Sequence, residues 1–431
     1  MDRRLLATLG LCVIVALDMG ARFAHAQATT VMERVRFDEA VRRAVERNPS
    51  VALAAAQIIR ADALLRQTRA VTRLSINGTV TSTTLNRGVT FDDFTVTPQS
   101  QVSATVEVAM PLFAPTDWAR RAQAQDTRAI ADLSVAEARR QTALAAADAY
   151  LTILARRRVV EANERARDVA RAHYDFAHLQ QAAGAGSLLN ELRAQEAVSS
   201  DEVLVESARL AVYRAQEALG VLMAADGPVD AAEEPAFDLP TEAASDPGGA
   251  LVQFRSDLKL FSARLEAADR VIRDSSKDYW PSLQGIFQPQ VIYPSPFFLP
   301  GKSWRALVIG TIPIADSGRR AADRQTREAT LHEAQVTLSG GVTQARSEVR
   351  AAREAIQSAE RALASARAAA DQARRVVDIV TVSFRAGAAT NIEVIDAERR
   401  ARDADTAAAV TEDGLRRARL ELLTALGRFP K

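Results

Sequence analysis

One stretch constrains this chain more than any other: Ser317 to Ala386, rich in alanine and free of proline. Its apolar residues keep a seven-residue beat. One set is Val342, Val349, Ile356, Leu363, Ala370, Val377 and Phe384. The second, three residues on, is Leu331, Leu338, Ala345, Ala352, Ala359, Ala366, Ala373 and Val380. Two apolar sets at this spacing form the seam of a helix wound against partner helices. Roughly seventy helical residues reach about 105 Å at 1.5 Å per residue. No ordinary globular domain needs such a helix, so the rest of the chain is read for what a rod of that length serves.

The N-terminus reads as an export signal. Arg3 and Arg4 precede an apolar run from Leu5 to Leu17, and Ala24-His25-Ala26 follows, which predicts a signal peptide over residues 1–26 with cleavage before Gln27. Cys12, the only cysteine, lies inside this run behind Leu11, where a lipid-attachment box wants a small residue. The mature chain is therefore expected to carry neither disulfide nor lipid, which suits a bacterial envelope protein. With 55 Lys+Arg against 54 Asp+Glu, the chain has no charge excess with which to hold nucleic acid. No mature segment has the unbroken apolar length of a membrane helix. A membrane crossing would have to be made of β-structure.

The chain also repeats itself. Gly184-Ala185-Gly186-Ser187-Leu188-Leu189-Asn190-Glu191-Leu192-Arg193-Ala194-Gln195 lies over Gly387-Ala388-Ala389-Thr390-Asn391-Ile392-Glu393-Val394-Ile395-Asp396-Ala397-Glu398. Ala218-Leu219-Gly220 matches Ala425-Leu426-Gly427, and Met110-Pro111-Leu112 matches Ile312-Pro313-Ile314. A period of about two hundred residues is too long for a solenoid, so each copy is a substantial unit. The boundaries expected are repeat one over 27–223, an irregular Pro-, Asp-, Glu- and Gly-rich linker over 224–250, and repeat two over 251–431. Each copy runs in one order: a helix (Asp38 to Arg69, interrupted at Asn48-Pro49; Gly249 to Ser276), two strands, a long helix, a Gly-containing tip and a return helix. Gly takes the left-handed backbone that ends a helix, and Ser187 and Thr390 are placed to cap the returning ones. Gly340-Gly341, off the seam, reads as a tolerated surface blemish.

The strands carry their own pattern. Val102, Ala104, Val106, Val108 and Met110 alternate with Gln101, Ser103, Thr105 and Glu107; Leu74, Ile76 and Val80 alternate with Ser75, Asn77, Thr79 and Thr81. That is the pattern of a barrel strand, apolar to lipid and polar to lumen. Leu283 to Tyr293 and Trp304 to Ile312 are strand-like but less regular. Aromatics gather near the segment ends (Phe91, Phe94, Tyr279, Trp280, Tyr293, Phe297, Phe298, Trp304), as at a membrane–water interface. Alternation alone also fits a soluble two-sided sheet. Four strands cannot close a barrel, so a membrane reading requires several chains to pool them.

Taken together, the chain resembles the TolC-type outer-membrane efflux proteins, the outer membrane factor family. The likeness covers essentially all of the mature sequence. It rests on Phe37-Asp38-Glu39-Ala40-Val41 with Asn48-Pro49, the strand pair ending at Pro111 to Phe113, the tip and return helix at Gly387 to Glu398, and the duplicated order. The resemblance implies an α+β membrane protein with long coiled-coil hairpins and four transmembrane β-strands per chain. A homotrimer would pool these into a 12-stranded β-barrel in the outer membrane and an α-helical tunnel in the periplasm. The tips would meet a periplasmic adaptor, or membrane fusion, protein coupled to an inner-membrane pump, and the work would be passive conduction. The positions matching the family's acidic entrance constriction are Glu393 and Asp396; the first copy departs, with Asn190 and Arg193. The plain alternative is that both acids are solvated first-turn residues favoured by the helix dipole. The tips, Phe176 to Ser187 and Phe384 to Thr390, with Gly184, Gly186, Ser187, Phe384, Gly387 and Thr390 at their centre, are the expected adaptor contacts; their other role is simply to turn the chain.

No catalytic constellation emerges. His173 and His178 stand five apart and so off a common helical face, which speaks against a metal site. No Gly-rich phosphate loop follows a strand, and no cofactor is expected. Two other classes remain open at this point: a periplasmic coiled-coil adaptor, which would carry one hairpin rather than two, and a structural envelope coiled coil, which would not need the alternating strands. Efflux and protein secretion are equally compatible with the resemblance.

Overall fold

The computed structural model describes residues 32–91, 94–239 and 251–430. The signal peptide expected over residues 1–26 lies outside them, as do residues 240–250 of the linker. In chain order the elements are β1 (Glu33–Val35), α1 (Phe37–Arg47), α2 (Pro49–Val71), β2 (Ser75–Thr84), β3 (Val89–Phe91), β4 (Phe94–Thr97), β5 (Ser100–Phe113), α3 (Pro115–Ala182), α4 (Leu188–Leu222) and β6 (Val229–Ala231). They continue with α5 (Leu251–Phe254), α6 (Ser256–Asp274), a 3-10 turn (Ser275–Tyr279), β7 (Ser282–Tyr293), β8 (Lys302–Thr311), α7 (Arg319–Arg385) and α8 (Asn391–Ala425). The helix expected over 38–69 is two helices. The Asn48 side chain accepts from the backbone N–H of Ser50 and caps α2, and Pro49 occupies the first helical position, where its missing N–H costs nothing.

The chain forms two compact units, each drawing on both halves of the sequence. Of the described residues, one unit holds 32–40, 146–235 and 373–409; the other holds 41–91, 94–145, 236–239, 251–372 and 410–430.

In the first unit, β1 pairs in parallel with β6. All three residues of β6 are buried, so the stretch expected as irregular linker begins with a core strand. Three residues are too few to show a period, which is why the pattern missed it. Tyr150 is fully buried against this pair: its ring meets Phe37 edge-on at 5.5 Å, and its hydroxyl lies 2.8 Å from the Glu233 carbonyl and 3.2 Å from that of Val35. Asp230, also buried, is satisfied by Arg157 (2.5 Å) and Gln216 (2.9 Å). A buried carboxylate persists only with such partners.

In the second unit, the seam residues of α7 meet α6 and α8: Ala345, Val349, Ala352, Ile356 and Leu363 form one buried cluster with Leu258, Leu415, Ala418 and Leu422. Burying one such aliphatic side chain is worth about 1.5–3 kcal/mol. Along α7 as a whole, every residue of the expected seam is buried or half-buried. Gly341 is a correction. A Cβ there would lie 2.9 Å from Phe261 and 3.2 Å from Leu258, so this glycine lets α6 approach the backbone of α7. Gly340 meets nothing within 4 Å and remains a surface position.

The second unit also contains a four-stranded antiparallel sheet in the order β2-β5-β7-β8. Its strands are ten to fourteen residues long, which matches the length a tilted strand needs to cross a bilayer. A short hairpin, β3 with β4, follows β2 and was not foreseen.

Candidate functional site

Two regions bear on function: the transmembrane sheet and the two helical tips. In the sheet, the apolar set of β5 is the exposed one: Val102, Val106 and Met110 are exposed, while Gln101, Ser103, Thr105 and Glu107 are half-buried. The register extends this face across the sheet, where Ile76 and Val80 of β2, Phe287 and Val291 of β7, and Trp304 and Val308 of β8 are all exposed. In β5 the apolar face is the exposed one and the polar face the half-buried one, the inverse of a water-soluble sheet and the order that fits a wall in lipid; in β7 and β8 the second face also carries Ile286, Ile292, Leu307 and Ile309. Aromatics mark both ends of the strands. Phe113 stacks on Trp280 (6.3 Å) and meets Trp118 edge-on, while Tyr293, Phe297, Phe298 and Trp304 stand exposed at the other end. Among the described residues no helix is long and apolar enough to cross a membrane.

The tips lie in the first unit. α3 ends at Gly184 (φ 72°) and α7 at Gly387 (φ 74°), both in the left-handed region. In each, two N–H groups reach back over the last turn: Gly184 to the Gln181 carbonyl and Ala185 to that of Gln180; Gly387 to Phe384 and Ala388 to Ser383. These are the two hydrogen bonds of a Schellman motif, and glycine at its centre carries no steric penalty. Gly186 sits tight: a Cβ would come within 2.9 Å of that of Gln180. Ser187 then caps α4, its hydroxyl oxygen accepting from the N–H of Asn190 at 3.2 Å.

At the second tip the cap has another form. The Glu393 carboxylate accepts from the Thr390 backbone N–H (2.6 Å) and hydroxyl (2.9 Å). Those bonds, the backbone one foremost, hold its carboxyl below the usual carboxylate range. Asp396, one turn on, pairs with Arg400 at 2.8 Å. Both acids are exposed. Glu393 is thus engaged as a capping residue, a role that the sequence pattern did not single out.

Beside this tip lies a cluster that sequence reasoning missed. Phe384 is buried, with its ring 5.2 Å from His173 and 5.8 Å from Phe176, whose face is covered by the Arg385 guanidinium. His173 Nε2 lies 2.6 Å from Asn391 Oδ1, and Asn391 donates its amide N–H to the Asn190 carbonyl at 3.2 Å. With the Asn391 oxygen facing the imidazole, His173 carries its proton on Nε2. Burial pushes its pKa below the ordinary value, and the Asn391 bond offsets this only in part. Further along α8, burial and the nearby Asp201 push the Glu398 carboxyl up to about 7, while Asp201 itself pairs with Arg402 at 2.7 Å. The one available sequence signal was the mismatch between copies: Asn391 stands where the first copy has Leu188, and Glu398 where it has Gln195.

The comparisons agree with this architecture. The family model described as "Outer membrane efflux protein" matches residues 40–225 and 296–428. The chain belongs to this family. It is an efflux channel of the bacterial outer membrane with a helical part on the periplasmic side, not an enzyme. Solved structures share its fold. The outer membrane protein VceC from Vibrio cholerae superposes with a TM-score of 0.77 at 19% identity, covering 91% of this chain and 96% of that one. The CmeC outer membrane channel of Campylobacter jejuni gives 0.79 at 15% over 91% and 85%. The open state of the MtrE outer membrane channel of Neisseria gonorrhoeae gives 0.75 at 17% over 91% and 89%. A comparison with curated proteins by sequence finds no match. For this outer-membrane efflux protein the family assignment replaces the two open alternatives, adaptor and structural coiled coil.

Proposed function

We propose that three copies of this chain pool their strands into a 12-stranded barrel and their helices into a periplasmic tunnel. The tunnel passively conducts substrate handed over by an inner-membrane pump through a periplasmic adaptor. One observation carries this reading. The four-stranded sheet has transmembrane length and an apolar outer face, yet among the described residues each of its edge strands, β2 and β8, is paired on one side only. An open edge is intolerable in lipid, and four strands cannot close on themselves. β2 and β8 run antiparallel to one another in this order, so β8 of one copy can pair with β2 of the next, and closure by three copies leaves a lumen wider than a side-chain-filled barrel.

In this reading the two matched halves, 27–223 and 251–431, are copies of one unit that each contribute a strand pair and a helical hairpin, so that a trimer has near-sixfold walls. The tips form the periplasmic entrance and the adaptor dock. Their exposed apolar side chains suit a protein contact: Leu179, Leu188 and Leu192 at the first, Ile379, Val382 and Ile392 at the second. Glu393 and Asp396 line the entrance as rings of carboxylates, with Arg400 tempering Asp396, and favour cations. Energy comes from the pump, and the pump selects the cargo.

The test is the location and mass of the mature protein. Fractionation followed by detergent extraction is expected to give a particle of three chains from the outer membrane. A single chain per detergent particle, or a protein soluble in the periplasm, would remove the pooled barrel and the tunnel with it.

A further inference from the structure

The polar face of the sheet carries few charges, and their placement is informative. Across the four strands the residues charged at neutral pH are Glu107 on β5 and Lys302 and Arg305 on β8. Lys302 lies opposite Val291, at the strand end and on the apolar face. Glu107 and Arg305 lie on the opposite face, which in β2 and β5 is lined mainly by Ser, Thr, Asn and Gln and in β7 and β8 also carries Ile286, Ile292, Leu307 and Ile309. Asn77 is the register partner of Glu107, and Arg305 that of Gln288. Gln288 stands between the two charges on the middle strand. Its amide N–H donates to the Glu107 carboxylate, and its carbonyl oxygen accepts from Arg305 Nε at 2.5 Å. Both ends of one amide are therefore used, and a carboxylate and a guanidinium two strand spacings apart, about 10 Å, are joined in a single row.

We infer that Glu107, Gln288 and Arg305 form a charge-compensated row on the luminal wall, and that Glu107 and Arg305 are opposed determinants of ion preference in the barrel. The inference rests on the channel reading above. A lone charge in a pore attracts its counter-ions and repels its co-ions. Here each carboxylate is matched by a guanidinium within about one Debye length, so the row adds no net charge to the pore for either ion. Gln288 holds both groups against the wall and stops either from reaching across the lumen. The barrel then passes cargo of either sign, and any ion preference of the whole channel arises elsewhere.

The experiment is the ratio of potassium to chloride permeability, read from the reversal potential of the purified full-length protein in planar bilayers under a potassium chloride gradient. Glu107→Gln keeps the hydrogen-bonded row and leaves Arg305 unbalanced. It is expected to lower the ratio about five-fold, because a unit charge about 8 Å away through water weighs about two-fold on each ion and in opposite senses for potassium and chloride. Arg305→Gln is expected to raise it by a similar factor, and the double variant to return it to the wild-type value. Single variants that both leave the ratio unchanged, or that move it the same way, overturn the row while the wild-type protein still conducts. A wild-type protein that does not conduct overturns the channel reading itself and this inference with it. Arg305→Cys, made with Cys12, the only native cysteine, replaced by alanine, removes any dependence on how a charge variant assembles. On the inserted channel a cationic thiol reagent is expected to restore the wild-type ratio, and an anionic one to raise it further. Indifference to both reagents overturns the proposal.

Discussion

At Gly184 and at Gly387 the chain leaves a long helix by the same route: a left-handed glycine, two N–H groups closing the last turn, and a hydroxyl residue opening the return helix. Beyond that shared backbone the tips part. Where the first return helix begins with an exposed Leu188, the second has a buried Asn391 bonded to His173. Where the first has Asn190, the second has Glu393, turned back as a cap. Where the first has Gln195, the second has Glu398, pressed by burial toward its neutral form. The copies kept what turning a helix demands and changed what is placed on the turn. At these positions the second tip carries acids and a polar anchor where the first carries Leu188, Asn190 and Gln195, while both tips present exposed aliphatic side chains. A comparison built this way can be tested by moving residues of the first tip into the second.

The largest effect is expected from Asn391→Leu. It strips the buried His173 of its acceptor and the half-buried Asn190 of a donor; a fully buried unsatisfied group costs about 1–3 kcal/mol and a half-buried one less, so the tip loses about 2–4 kcal/mol. Hydrogen exchange should show the amides from Phe384 to Val394 losing protection, with a smaller loss beside Asn190, whose carbonyl gives up its donor. Equal loss at both tips would mean that Asn391 supports the bundle at large. His173 gives the same contrast by pH. Its folded pKa lies below the ordinary value of about 6.5, so its contribution is present above that value and is lost as pH falls. Acidification below about 6.5 therefore costs this cluster stability, by which point Glu398, with its raised pKa, has already taken up its proton.

Glu398→Gln comes next, with the opposite sign. The folded pKa, about 7, is raised. The neutral acid is tolerated below the ordinary carboxylate range, and the penalty grows until pH passes about 7. The variant is therefore expected to be more stable by about 3 kcal/mol at pH 8 and little changed at pH 4. A gain of the same size at both pH values in thermal unfolding would show that Glu398 does not titrate in its place.

These residues also mark how far the sequence could be read. The seam of α7, the strand alternation and the glycine tips follow from local periods and local backbone demands, and they stand where the pattern put them. The boundary between α1 and α2 follows from Asn48-Pro49. What escaped are contacts fixed only by folding. His173 meets Asn391 across 218 positions; Gly341 matters because Phe261 and Leu258 come to rest on it; and β6 is a strand only because β1 lies beside it. None of these has a period, and a histidine seen alone on a helix gives no sign of its partner. Glu393 was legible as an acid in a first turn, but its cap was not singled out, although Thr390 three residues earlier completes the spacing of a capping box.

The glycines test the part the tips share. At both Gly184 and Gly387 a Cβ would meet nothing within 4 Å. Replacement by valine therefore costs only the left-handed backbone, about 1–2 kcal/mol at either position. Equal losses from Gly184→Val and Gly387→Val in thermal unfolding would support one scaffold used twice. A markedly larger loss at one of them would show that its loop is held by more than its own turn.

The smallest effect on stability, and the most telling one for function, belongs to Glu393. Its depressed pKa means that its contribution is present above the ordinary carboxylate value and fades as pH falls below it. Glu393→Gln keeps an acceptor for the Thr390 N–H, so the first turn of α8 should fray little more than in the wild type. The charge is gone, however, and in the proposed trimer three carboxylates leave the entrance together. If they shape the passage there, the potassium to chloride permeability ratio in a bilayer recording falls while hydrogen exchange at the turn is unchanged. If the ratio stays where it was, the acid at this position serves the helix alone. The difference between the two tips would then lie in how each is fastened, not in what each lets through.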